Sequence, residues 1–156
     1  LKNNSGFFRG GIPASEEQLL DLQKLFPETI LPEDYMAFLR IHNGFSKASD
    51  TGIIPISQMD NKFKAFQSNF SSESMLFTQA GEPVDPKTLI PFYESFGMPF
   101  YQCFWTEWYP ESEMGNVYYS GVTRTISSVK SADPNSDSMA FYTFVDWLLF
   151  YIETIT

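Results

Sequence analysis

Leu31-Pro32-Glu33-Asp34-Tyr35-Met36-Ala37-Phe38-Leu39-Arg40-Ile41-His42-Asn43-Gly44 is the stretch on which the fold turns. Proline suits the first turn of a helix, where its missing N–H is no loss. Glu33 and Asp34 complement the positive end of the helix dipole. Tyr35, Phe38, Leu39 and His42 recur at helical spacing and fall on one side. Asn43-Gly44 supplies a left-handed stop. Just upstream, Ser15 with Gln18 three residues on forms a capping box. Leu19, Leu22, Leu25 and Phe26 continue with helical periodicity, and Pro27 ends that helix. Two short helices with a tight joint predict an antiparallel or angled pair. Residues 1–14, with Gly6, Gly10, Gly11 and Pro13, read as a loose N-terminal arm.

The period changes beyond Gly52. Ile53-Ile54-Pro55-Ile56 reads as a short strand, its proline at an edge or strand start. Residues 60–82 are mixed and polar and read as a variable insertion with room for a short helix. Strand-like runs follow at 89–94, 100–106, 117–120 and 122–129. Gly97-Met98-Pro99, Glu113-Met114-Gly115-Asn116 and Ser120-Gly121 separate them, and such close spacing favours antiparallel neighbours. Asp133–Asp137 reads as a loop, with Ser138 or Asp137 capping a last helix. Phe141, Phe144, Val145, Leu148, Leu149 and Ile152 form its wide apolar stripe. The order helix–helix, strand meander, helix predicts one α+β domain over 1–156: a twisted, mostly antiparallel sheet covered by helices.

The 156 residues suffice for a core that buries roughly 70% of the unfolded surface. Aromatics make up 17% of the chain, enough to fill that core and leave a surface patch. A single cysteine, Cys103, permits no internal disulfide and fits a reducing, cytoplasmic setting. The opening residues show no secretory h-region, and no apolar run reaches the roughly 20 residues that span a bilayer. Nineteen acids against ten bases give a net charge of −9. With no basic cluster, nucleic acid and anionic membranes are poor partners. Residues 88–156 carry eight acids and only Arg124 and Lys130 as bases. That imbalance serves solubility, or it attracts a basic protein partner.

Raw material for catalysis is scarce. One histidine, His42, and one cysteine cannot build a zinc site, and nothing in the sequence brings them together as a nucleophile–base pair. Cys103 lies inside an apolar strand, where cysteine is usually a small buried hydrophobe. Gly10-Gly11 lacks the lysine and spacing of a phosphate loop. Glu111 and Glu113 are close, in what reads as a solvated turn. The expectation is a non-catalytic chain with no cofactor and no metal.

Phe104-Trp105-Thr106-Glu107-Trp108-Tyr109-Pro110 is the most unusual segment. Strand alternation would place Trp105 and Glu107 on one face and Phe104, Thr106 and Trp108 on the other. Such a strand is either buried on both sides or carries a hot spot. Trp105, Glu107, Trp108, Glu111 and Glu113 are the candidate partner-binding residues, since interface hot spots favour tryptophan and tyrosine.

The stretch 31–44 resembles the signature of the SUKH superfamily, the Smi/Knr-like group: Leu-Pro, an aromatic three residues on, Phe-Leu, then Asn-Gly. Downstream, Ile54-Pro55-Ile56 is similar to the family's first strand and Leu89-Ile90-Pro91-Phe92 to its Ile-Pro-Phe strand. Gly115-Asn116-Val117-Tyr118-Tyr119 is similar to its Gly-x-Val-Tyr strand, and 138–145 to its closing aromatic helix. The chain differs from the pattern at the turn 95–99 and in the segment 60–82. The resemblance covers about residues 15–153. It implies an α+β fold without enzyme chemistry. Bacterial members are mostly immunity proteins that neutralise a cognate toxin, commonly a basic nuclease. Fungal members are regulatory scaffolds. The resemblance therefore implies a basic toxin domain as partner, or a scaffold role with no toxin.

Overall fold

A computed structural model describes residues 7–95, 99–127 and 139–154. Strands β1 (Phe8–Gly10), β2 (Phe45–Lys47), β3 (Gly52–Ile53), β4 (Leu76–Thr78), β5 (Pro83–Val84), β6 (Leu89–Glu94), β7 (Phe100–Trp105), β8 (Asn116–Ser120) and β9 (Thr125–Ile126) form one sheet in the order β1-β2-β3-β6-β7-β8-β9-β4-β5. Every described pairing is antiparallel except β4 with β9. The helices are α1 (Glu16–Leu25), α2 (Glu33–Leu39), α3 (Ile56–Ser68) and α4 (Phe144–Glu153). The predicted α+β class holds.

Successive side chains of a strand point to opposite faces. Ile90 and Phe104 belong to one core, with residues of all four helices. Their neighbours Leu89 and Cys103 belong to a second core, with Val117, Tyr119 and Phe66 of α3. Gln102, Cys103 and Phe104 are all buried, so β7 is covered on both sides. Of the segment 104–110, Phe104 is buried, while Trp105 to Pro110 are partly buried or exposed.

The helix starts show why the chain folds this way locally. Ser15 caps α1 with both bonds of the capping box in place. Pro32 and Pro55 stand at the caps of α2 and α3 and offer no side-chain acceptor. Distant residues supply it. Glu113 Oε1 accepts from Glu33 N at 2.7 Å, and Asn43 Oδ1 accepts from Ile56 N at 2.8 Å. Orphan N–H groups at a helix start must find partners, and here one ties the meander to α2 and the other ties the loop after α2 to α3.

Several expectations need correction. The arm is not loose throughout: β1 pairs with β2, and Gly11 N donates to Gly44 O at 2.7 Å. Gly11 is required there, because a Cβ would sit 2.0 Å from the backbone carbonyl oxygen of Asn43. Helix α2 ends at Leu39, ahead of Asn43-Gly44. Gly44 does take the left-handed region (φ 92°), but as the bend that leads into β2 and α3. The strand at 53–56 stops at Ile53, and Ile56 begins α3. The segment read as an insertion at 60–82 holds most of that helix, then β4. Ile56, Met59, Phe63 and Phe66 give α3 its inner stripe at helical spacing. Of the run 122–129, the described part is a turn followed by β9. Helix α4 starts at Phe144 with Thr143 as cap. The turn at 96–98, the loop 133–137 and the caps read at Asp137 and Ser138 lie outside the described residues.

Candidate partner-binding surface

Strand β7 ends at Trp105, and the chain turns at once. Trp108 N donates to Trp105 O at 2.9 Å, and Gly115 N donates to Trp108 O at 2.9 Å. The alternation read through Trp108 therefore stops at Trp105. The two indoles lie on the same side, 6.4 Å apart, against the second core. Trp108 lies flat on Gly115, where a Cβ would come within 2.4 Å of its ring. Both tryptophans are partly buried at the turn, and the Nε1 of Trp105 is buried with no hydrogen-bond partner among the described residues. Glu107 and Glu111 are exposed, as is Tyr109.

Glu113 plays a different part from its neighbours, because its carboxylate caps α2. Burial pushes its pKa up, with Glu33 and Asp34 adding like-charge repulsion and the bond from Glu33 N pulling it back. Asp34 in turn accepts from Tyr35 N at 2.8 Å and from Val145 N at 3.0 Å. The starts of α2 and α4 and the 106–115 turn thus meet at one place. Tyr142, just ahead of α4, packs edge-on against Trp108 at 5.9 Å.

Two buried amides fix the lead-in to α4. Asn116 Nδ2 donates to Thr143 O at 3.0 Å, and Gln102 Nε2 donates to Asn116 Oδ1 at 2.8 Å and to Met139 O at 3.1 Å. From there α4 buries Phe144, Trp147 and Tyr151, and not the whole stripe read from sequence. Val145, Leu149 and Ile152 are 43%, 52% and 37% exposed, so they form an outer apolar face. These positions are absent from the five candidates. Their signal is the width of the stripe: five of its six apolar residues fall on the ten-residue helix and spread over more than one of its faces.

Behind this face a cleft of about 350 Å³ runs between the sheet and the far half of α4, lined by Lys47, Asp50, Tyr93, Gln102, Tyr118 and Tyr151 among others. The hydroxyls of Tyr93 and Tyr151 donate to Asp50 Oδ2 at 2.8 and 2.9 Å. Lys47 donates to Tyr151 O and lies over its ring. Its charged groups answer one another. His42 and Cys103 are not brought together: His42 packs against Phe38 and Phe45, while Cys103 is fully buried in the second core with its thiol pushed well up by desolvation. No helix among the described residues is long and apolar enough to cross a membrane.

The model of the SMI1 / KNR4 family (SUKH-1) matches residues 13–148, from just before α1 to the middle of α4. The chain belongs to this family. It is therefore a protein-interaction domain of the immunity and Smi1/Knr4 type, from a family that is generally non-catalytic. No curated protein matches the chain. The match covers the 106–115 turn and the first half of α4, with Val145 but not Leu149 or Ile152.

The cap role of Glu113 has a direct test. Glu113→Gln keeps the acceptor for Glu33 N and removes the crowded charge, so the melting temperature should hold or rise slightly. Glu113→Ala should cost about 0.5–2 kcal/mol, the usual range for a lost cap. Equal melting temperatures for the two variants would show that the bond to Glu33 contributes nothing.

Proposed function

We propose that this SUKH-1 domain is a cytoplasmic immunity protein that neutralises a cognate toxin by binding it, without chemistry of its own. The observation that carries the reading is a set of three joined segments that carry acids and no bases. Glu33–Leu39, residues 105–115 and Phe144–Glu153 hold seven acids (Glu33, Asp34, Glu107, Glu111, Glu113, Asp146, Glu153) and no lysine or arginine. Hydrogen bonds join these segments at one end of the molecule. A toxin that acts on nucleic acid carries a basic groove, and an acidic face would speed its capture and cover that groove. Trp105 and Trp108 support the turn, Glu107 and Glu111 meet the partner, and Glu113 sets the turn against α2.

Co-expression with the toxin encoded beside this gene tests the reading. Growth should be restored, and killing that is equal with and without the chain sinks the idea. Glu107→Lys with Glu111→Lys should slow association about tenfold or more and flatten its salt dependence, the signature of lost electrostatic steering. Stopped-flow association at low and high salt reads both. The other reading is a regulatory scaffold of the Smi/Knr type. A gene neighbourhood without a toxin-like reading frame would favour it.

A further inference from the structure

We propose that the outer face of α4, continued through Tyr142 and Trp108 onto the 106–115 turn, is the docking surface, and that it takes a protein patch with an apolar centre and a rim of lysine and arginine. The inference deepens the reading above and rests on it. Val145, Leu149 and Ile152 recur at steps of four and three, so they line one stripe of the helix, and Tyr142 stands just ahead of its first turn. All four are at least 37% exposed. Single exposed apolar side chains are ordinary, but a row of them joined to an aromatic pair is a patch, and patches of this kind mark interaction sites. The opposite side of α4 is already committed to the core through Phe144, Trp147 and Tyr151. The helix cannot roll to bury the outer row without exposing those rings.

Charge selects the occupant. Asp146 and Glu153 flank the row on α4 itself. Asp34 and Glu113 stand at its start, and Glu107 and Glu111 lie beyond Trp108. A second copy of this chain would bring the same acids against them, and like charges across an interface cost several kcal/mol. An anionic lipid surface is repelled for the same reason. A basic protein surface is attracted. The two halves of the patch then divide the work: the acidic rim raises the rate of encounter, and the desolvated apolar centre holds the complex.

The test uses the full chain and a synthetic amphipathic helix of leucine and lysine as probe, with a leucine–glutamate helix as control. Backbone amide shifts in an NMR titration should move over 142–153 and 107–113 with the basic probe and stay still with the acidic one. Val145→Ser with Leu149→Ser changes only exposed side chains, so the melting temperature should hold while binding weakens about tenfold or more, as for loss of a hot spot. Shifts confined to the Lys47–Asp50 cleft or to β1, or full binding by the double variant, would overturn the assignment. So would a dimer in sedimentation that the double variant dissolves. In the co-expression assay, a wild-type chain that fails to protect refutes the immunity reading. A wild-type chain that protects no better than Val145→Ser/Leu149→Ser refutes this surface alone.

Discussion

Phe92→Ala should remove about 3–5 kcal/mol of stability, the range for truncating a large buried aromatic. That is a large share of the roughly 5–15 kcal/mol that holds a domain folded. The ring is 0% exposed. It stacks on Phe104 at 4.3 Å and meets Trp147 at 4.9 Å, Phe144 at 5.5 Å and Tyr35 at 6.0 Å. These residues belong to β7, α4 and α2, so one side chain joins the sheet to two helices. Its position depends on Pro91. A proline cannot donate to a ladder, and inside a sheet it belongs at a bulge. The register of β6 on β7 shifts between Pro91 and Tyr93, which leaves Phe92 as the extra residue. The bulge turns Phe92 and Tyr93, neighbours in sequence, toward the same indole of Trp147. Thermal unfolding should show a drop of roughly 6–20 °C for the alanine variant. Phe92→Leu keeps most of the volume and should cost much less. A loss below about 1 kcal/mol for Phe92→Ala would mean that the ring cluster is not the centre of the fold.

The same residues show what the sequence makes legible. Helices α1 and α2 and strands β6, β7 and β8 carry their signals locally, in a capping box, an alternation or a turn dipeptide. Strands β1, β3, β4, β5 and β9 are two or three residues long, too short for alternation to show, and all but β5 pair with a partner distant in sequence. Helix α3 was hidden by Pro55, which reads equally as a strand edge and as a helix boundary. Its stripe of Ile56, Met59, Phe63 and Phe66 was there to be found. The register of α4 was ambiguous for a physical reason: apolar residues cover both its inner and outer faces, and periodicity alone does not say which is buried.

The surface divides in the same way. Acid richness and the cluster of tryptophans are properties of composition, and the sequence shows them plainly. That Glu113 caps α2 is a bond across 80 residues, and that Asp34 receives Val145 N is a bond across 111. No local pattern encodes either. Together they convert five separate candidates into a scaffolded turn next to an exposed helix face. Trp105 and Trp108 are partly buried beside that turn, and the exposed row Val145, Leu149 and Ile152 lies on α4.

Stability should fall steeply on the alkaline side, in two stages. The Cys103 thiol is buried and its pKa is pushed well up by desolvation. An unfolded thiol ionises near 8.5, so above about that pH the folded state keeps a proton that the unfolded state releases. Stability present below the unfolded pKa is then lost at up to ~1.4 kcal/mol per pH unit. Above about pH 10 the phenols join in. Desolvation raises Tyr35, Tyr93 and Tyr151, and the last two also face the Asp50 carboxylate, which opposes a second negative charge. Three phenols of the same sign would add up to ~4 kcal/mol per pH unit as an upper bound. Lys47 works the other way. Burial pulls its ammonium down while Asp50 partly restores it, so its contribution grows with pH until the unfolded lysine titrates near 10.4. Beyond that point Lys47 no longer offsets the phenols. Melting temperature measured from pH 7 to 11 should decline gently from about 8.5 and sharply from about 10. Cys103→Ala should erase the first stage and leave the second. Tyr93→Phe should shallow the second stage by about one phenol's share, even though it also loses the bond to Asp50. A melting temperature flat to pH 11 would mean that these groups ionise in place, and that both the core around Tyr35 and the one around Cys103 admit water.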